Sequence, residues 1–178
     1  DTLHMAGTLT VNADAEAEPD GLGAFLIAKD QTLITNGFDA SITAAGFDIK
    51  GYIDFDSTAA IGTSTVTFTF SGANDINVGD NNEGNLYVNQ GILSRITAGA
   101  LQINNAGGSI TVKAGDEADS DAIGLLDLSA GDQITFDDAN ENPSISTAVF
   151  QALTAGAVNG ITVNANLTTK AGDMTLDG

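Results

Sequence analysis

The stretch that most constrains this chain runs from Leu93 to Val112. Three short apolar beats, Leu93/Ile96, Leu101/Ile103 and Ile110/Val112, follow one another about seven to nine residues apart. Gly, Asn and Ala lie between them. Within each beat apolar and polar residues alternate, as in a strand with one buried face. Each gap is too short for a helical crossover and rich in turn formers. Strands this short and this regular suit a chain that coils, so that each strand lies beside the strand one coil earlier.

The same beat recurs along the chain. Leu9–Val11, Phe25–Ile27, Thr32–Thr35, Ser41–Thr43, Phe47–Ile49 and Tyr52–Phe55 read as short strands. Asn36-Gly37 and Ala45-Gly46 are expected as turns between them, and Pro19-Asp20-Gly21 as a turn in the first long loop. Thr65 to Phe70 alternates most cleanly, with Val66, Phe68 and Phe70 on one side and Thr65, Thr67 and Thr69 on the other. Asp75–Val78, Leu86–Val88, Leu125–Leu128, Ile134–Phe136, Phe150–Leu153, Ile161–Val163, Leu167 and Met174–Leu176 complete the series. Ser144 to Leu153 could place Ile145, Val149 and Leu153 on one side of a helix, but the beat favours extended structure.

These features predict an all-β fold: residues 1–178 form a single β-solenoid, a parallel β-helix of about seven coils with loop insertions, at roughly 20–25 residues per coil. Coils would stack at roughly 4.8 Å. Such a stack has two open ends with unpaired strand edges, which need covering. Neither terminus carries a polar cap. Ala6-Gly-Thr-Leu-Thr-Val-Asn12 also resembles Ala171-Gly-Asp-Met-Thr-Leu-Asp177, and Thr10–Asp14 resembles Thr162–Asn166. The chain thus reads as one unit of a longer or tandem array, its ends covered by neighbouring modules. It starts at Asp1 without an initiator Met or a leader, which fits a piece of a longer or processed product.

Charge narrows the function. The net charge is −19, with 24 acidic residues against 5 basic ones. Lys29, Lys50, Arg95, Lys113 and Lys170 are scattered, so no basic patch exists for nucleic acid or an anionic membrane. No apolar run approaches the roughly 20 residues of a membrane helix. Without Cys there is no disulfide, thiolate metal site or Cys nucleophile.

Leu93-Ser-Arg-Ile-Thr-Ala-Gly-Ala-Leu-Gln-Ile103 with Gly108-Ser-Ile-Thr-Val112 resembles the stalk repeats of filamentous-haemagglutinin-like exoproteins of the two-partner-secretion type. The tail from Gly160 to Leu176 is in the same idiom, and Leu9–Asp14 with its acidic loop is similar to repeats of very large bacterial surface proteins. The resemblance implies a right-handed parallel β-helix, a Gram-negative outer surface, and a role in adhesion or as an extended stalk. It implies no catalytic residues. The N-terminus lacks the secretion-domain motifs of that family, so this piece corresponds to shaft.

Three site chemistries come from the residues. Asp14, Glu16, Glu18 and Asp20 alternate before the Pro-Asp-Gly turn and could converge on Ca²⁺, although no bidentate Glu closes the loop. Asp116, Glu117, Asp119 and Asp121 form a weaker acidic loop of the same kind, as do Asp80 and Glu83. The alternative is a solvated acidic surface. Asp54/Asp56 and Asp137/Asp138 are the paired acids a carbohydrate-active β-helix would need, with Arg95 as the only arginine. His4 is alone, the Thr-x-Thr ranks do not recur at one period, and Tyr52 and Tyr87 make a sparse sugar platform. The expectation is a non-enzymatic rod module of a bacterial cell-surface or secreted protein. A Ca²⁺-stabilised module for a host or cell-surface glycan or protein comes second, and a carbohydrate-active enzyme third.

Overall fold

The computed structural model describes residues 2–15, 23–54, 63–79, 87–113, 121–137 and 147–178. In chain order the strands are β1 (Thr2–His4), β2 (Leu9–Asn12), β3 (Ala24–Ile27), β4 (Thr32–Ile34), β5 (Ala40–Ala44), β6 (Gly46–Ile49), β7 (Tyr52–Asp54), β8 (Thr65–Phe70), β9 (Ile76–Gly79) and β10 (Tyr87–Asn89). A one-turn helix α1 (Gln90–Leu93) leads into β11 (Ile96–Asn105). Then come β12 (Ile110–Lys113), β13 (Ile123–Ala130), β14 (Ile134–Asp137), β15 (Thr147–Phe150), β16 (Leu153–Ala157), β17 (Ile161–Val163), β18 (Asn166–Thr169) and β19 (Met174–Asp177).

Every strand pairing among the described residues is parallel. With one exception, β9 with β10, no strand pairs with the next strand in the chain. Partners lie two to four strands further on, so the chain travels through other strands before returning to the same ladder. A two-residue hairpin cannot make such pairings; each needs a longer connection.

The longest ladder runs β2–β5–β8–β11–β13–β16–β19. Its register sets inward residues in columns. One column is Leu9, Ala40, Val66, Leu101, Leu126, Leu153 and Met174. The next inward column is Val11, Ile42, Phe68, Ile103, Leu128, Ala155 and Leu176. A second ladder, β10–β9–β12–β14–β17, stacks Ile76, Ile110, Ile134 and Ile161 in one column and Val78, Val112, Phe136 and Val163 in another. The ladder β1–β4–β7 joins the start of β11, where Leu3, Leu33, Ile53 and Ile96 are in register. The pairs β3–β6 and β15–β18 complete the set. All these columns face one continuous apolar core, and Ile42, Phe68, Leu101, Ile103, Ile110 and Ile134 are fully buried in it. Each such side chain contributes about 1.5–3 kcal/mol by leaving water. Within this core Phe47 stacks on Phe68 with centroids 4.5 Å apart and meets Phe70 edge-on at 4.9 Å.

The alternation that predicts strands is present as predicted in β8, whose six residues read half-buried and buried in turn. Asn36 and Gly37 form the expected turn, with φ of 54° and 81°, the left-handed pair that Asn-Gly adopts at little cost. Ala45-Gly46 differs from expectation: it is a corner, because β6 already begins at Gly46 and both amides donate to the Gly23 carbonyl, at 2.6 and 3.3 Å. The central beats differ too. Leu93 closes α1, and Ile96 to Asn105 is one strand of 10 residues that spans two of the expected beats. The helix is capped by the Asn89 side chain, which accepts from the Ile92 amide at 2.9 Å. The described part of the segment after Ser144 is extended, as β15 and the start of β16.

Stacked corners are held by polar groups. The Ser109 amide donates to Asp75 at 2.9 Å, the Ser109 hydroxyl donates to Asp132 at 2.9 Å, and the Asn159 side-chain amide donates to Asp132 at 2.8 Å. These four residues sit at the entries to β9, β12, β14 and β17, so the chain of bonds runs up the side of the second ladder. Beneath it Asn105 is fully buried, its amide donating to the carbonyls of Asn74 and Ser109 at 3.0 Å each. Gly131 stacks so closely over Ala106 that a Cβ there would lie 1.9 Å from the Ala106 carbonyl oxygen.

Candidate interaction surfaces

The chemistry of the stack concentrates at its two ends. Among the described residues β2 and β19 each have one neighbour in the longest ladder, β5 and β16, and one edge without a partner strand. Unpaired edges present free amides and carbonyls to any incoming strand. At the β2 end, Leu3, Leu9, Val11, Phe25, Ile27 and Leu33 line an open cavity of about 390 Å³. Leu26 lines it too, and Leu3 and Leu26 are each 59% exposed. At the β19 end Val163 and Leu176 are 47% and 40% exposed, although the residues next to them in their columns, Phe136 and Ala155, are fully buried. Each end thus exposes apolar side chains of columns whose middle rungs are buried; Phe38, Tyr52 and Val158 are exposed as well.

The flanks are polar. On the outward face of the longest ladder Thr67 donates to Gln102 at 3.0 Å, and Gln102 donates to Asp127 at 3.1 Å. Lys113 pairs with Asp137 at 2.7 Å one rung on, and Lys170 with Asp121 at 2.8 Å. Basic side chains are thus used to join rungs and form no patch among these residues.

Asp14 is buried, and its carboxylate accepts a short hydrogen bond from the Ser71 hydroxyl. Among the described residues its other oxygen, Oδ1, has no hydrogen-bond partner. Glu16, Glu18 and Asp20 lie outside the described residues, as do Asp116, Glu117, Asp119, Asp80 and Glu83. Asp121 is tied to Lys170 and, at 3.4 Å, to Gln151. Among the described residues no group of three or more His, Cys, Asp or Glu side chains could hold a metal ion. Of the paired acids, Asp56, Asp138 and the Asp54 side chain are outside the described set, and Asp137 is engaged by Lys113. Arg95 donates to the Ile49 carbonyl at 3.1 Å, and its own carbonyl accepts from the Ile53 amide at 2.9 Å. It fastens the β10–α1 insertion to β6 and β7.

His4 is exposed in β1 beside Ile34. Tyr52 and Tyr87 stand on different ladders and form no common platform. Thr67 has Ser41 and Gln102 above and below it in its column, so its rank is mixed. A run of Thr does occur elsewhere, at Thr111, Thr135 and Thr162. Sequence reading missed it because those residues are brought together only by register.

No helix among the described residues is long and apolar enough to cross a membrane. Comparison with protein families, with curated proteins and with solved structures finds no match to this chain.

Proposed function

We propose that this chain is a β-solenoid module, a right-handed parallel β-helix of about seven coils, serving as a structural rod segment of a bacterial cell-surface or secreted protein. The observation that carries the proposal is the ladder of seven strands from β2 to β19, parallel throughout and in register through two inward columns. A chain that returns repeatedly to one ladder, each time on the same side, winds. Parallel crossover connections are right-handed in nearly all proteins. The stalk-repeat resemblance of Leu93–Val112 supports the surface role. The acidic flanks suit an exposed, solvated rod, and the apolar ends suit neighbouring modules.

A direct test is a concatemer of three units viewed by negative-stain electron microscopy. A rod of constant width, lengthening by about 34 Å per unit at about 4.8 Å per rung, supports the proposal. Separate beads on flexible joints overturn it.

A second reading is a Ca²⁺-stabilised module for a glycan or protein receptor. It draws on one observation, the buried Asp14 carboxylate with an unpartnered oxygen at the start of an acidic sequence. Thermal unfolding in EDTA against millimolar Ca²⁺ tests it. A calcium-dependent rise in midpoint supports it, and superimposable curves remove it.

A further inference from the structure

We infer that the two ends of the stack bind each other in one defined register: β19 of one copy adds, in parallel, to the free edge of β2 in the next. The inference rests on the rod reading above and names the partner, a second copy of this chain.

The argument starts from the columns. Following the register through the longest ladder places Leu9, Thr10, Val11 and Asn12 in the columns that end, at its opposite side, in Met174, Thr175, Leu176 and Asp177. The two end strands therefore hold the same position in the coil. They also carry the same pattern, Leu-Thr-Val-Asn against Met-Thr-Leu-Asp. A further rung laid on β2 in the established register would place Met174 over Leu9, Thr175 over Thr10 and Leu176 over Val11. Leu176, now 40% exposed, would be covered, and the cavity beside Leu9 and Val11 would be closed. Edge amides and carbonyls on both strands would gain partners.

The contact is heterologous: one end meets the other. Such contacts do not close on themselves and build filaments when the rotation is that of a helix. A net charge of −19 on each copy opposes the approach. Screening reaches about 10 Å at 0.1 M salt and about 3 Å at 1 M, so assembly strengthens with ionic strength.

The chain has no Cys, so introduced thiols report the register directly. Thr10 and Thr175 are both exposed and point outward. On adjacent rungs their Cα atoms would be about 4.8 Å apart, within the span of roughly 4.4–6.8 Å that a disulfide bridges. The double variant Thr10→Cys/Thr175→Cys is oxidised in 50 mM and in 500 mM NaCl and run on non-reducing gels. The expected result is a ladder of reducible dimers, trimers and higher species, stronger at 500 mM, with neither single variant exceeding a trace of dimer. The off-register pair Asn12→Cys/Thr175→Cys should crosslink at least tenfold less. Circular dichroism confirms that each variant folds. The inference is overturned by folded variants that stay monomeric at 500 mM salt, by abundant dimers from either single variant, or by equal crosslinking of the off-register pair. Straight concatemers with no crosslinking of free copies would leave the rod reading standing and remove only this inference.

Discussion

Leu9 and Met174 stand in the same column of one parallel ladder, at its opposite ends. Five residues, Ala40, Val66, Leu101, Leu126 and Leu153, separate them in that column, and all five are buried. The head and tail strands, Leu9–Asn12 and Met174–Asp177, carry a similar pattern and hold the same columns of the ladder at its two ends. That relationship makes the core a set of rows, and the consequences of single substitutions can be read from the row each one interrupts.

Ile110 is fully buried between Ile76 and Ile134. Ile110→Ala leaves a gap in the middle of the isoleucine column, and the rungs on both sides lose contact. A loss of about 2–5 kcal/mol is expected, measured by denaturant unfolding. The same change at Ile161, a half-buried end residue, should cost less than half as much.

Gly131 has no room for a side chain: a Cβ would meet the Ala106 carbonyl oxygen at 1.9 Å, and the Gly131 amide is bonded to the Asn105 carbonyl at 2.8 Å. Gly131→Ala must push two stacked corners apart. It should lower stability by about 2 kcal/mol or more, whereas Gly7→Ala, in open space, should be within about 0.5 kcal/mol of the parent protein. Paired unfolding curves compare them.

Asn105 aims its amide at two carbonyls in a fully buried site. Asn105→Asp replaces two donors with acceptor oxygens. The carboxyl would be held above its ordinary range by burial and by the facing carbonyls, so stability is highest at low pH and falls as pH rises past the unfolded value. A loss of about 3 kcal/mol or more at pH 7 is expected, partly recovered near pH 4. Unfolding midpoints of the variant and the parent chain at the two pH values check the sign.

The all-β character was legible in the sequence because a short strand needs only a few alternating residues, and those are local. Thr65–Phe70 and Ile134–Phe136 could be read directly. What was not legible depends on neighbours far along the chain. Leu93 looks like a strand residue until Asn89 is seen capping a helical turn that begins beside it. The register that aligns Thr111, Thr135 and Thr162, or Asp75, Ser109, Asp132 and Asn159, is set by loop lengths that composition does not encode. The expected period of roughly 20–25 residues fits the step from Leu101 to Leu126 and from Leu153 to Met174. The steps from Leu9 to Ala40 and from Val66 to Leu101 are longer, because the first contains the acidic loop and the second the β10–α1 insertion. Of the candidate calcium residues, Asp14 and Asp121 can be placed and they belong to different neighbourhoods, one against Ser71 and the other against Lys170.

Asp132 ties three rungs through Ser109 and Asn159, and the hydrogen bonds from Asn159 and then Ser109 hold its carboxyl below the usual carboxylate range. A carboxyl so lowered adds stability that is present above the unfolded value and is lost as pH falls through the folded one. Asp132→Asn should therefore lower the thermal midpoint at pH 7 and leave it little changed near pH 2. Melting curves across that range test the prediction, and a difference that persists at pH 2 would assign the effect to packing instead.

The central claim is that the chain winds in register, and the isoleucine column offers the most direct test. In a sample with labelled isoleucine δ methyls, the account predicts nuclear Overhauser contacts from Ile76 to Ile110, Ile110 to Ile134 and Ile134 to Ile161, with none from Ile76 to Ile134 or from Ile110 to Ile161. Contacts that skip a rung, or an Ile110 methyl that touches neither Ile76 nor Ile134, would contradict the parallel stack.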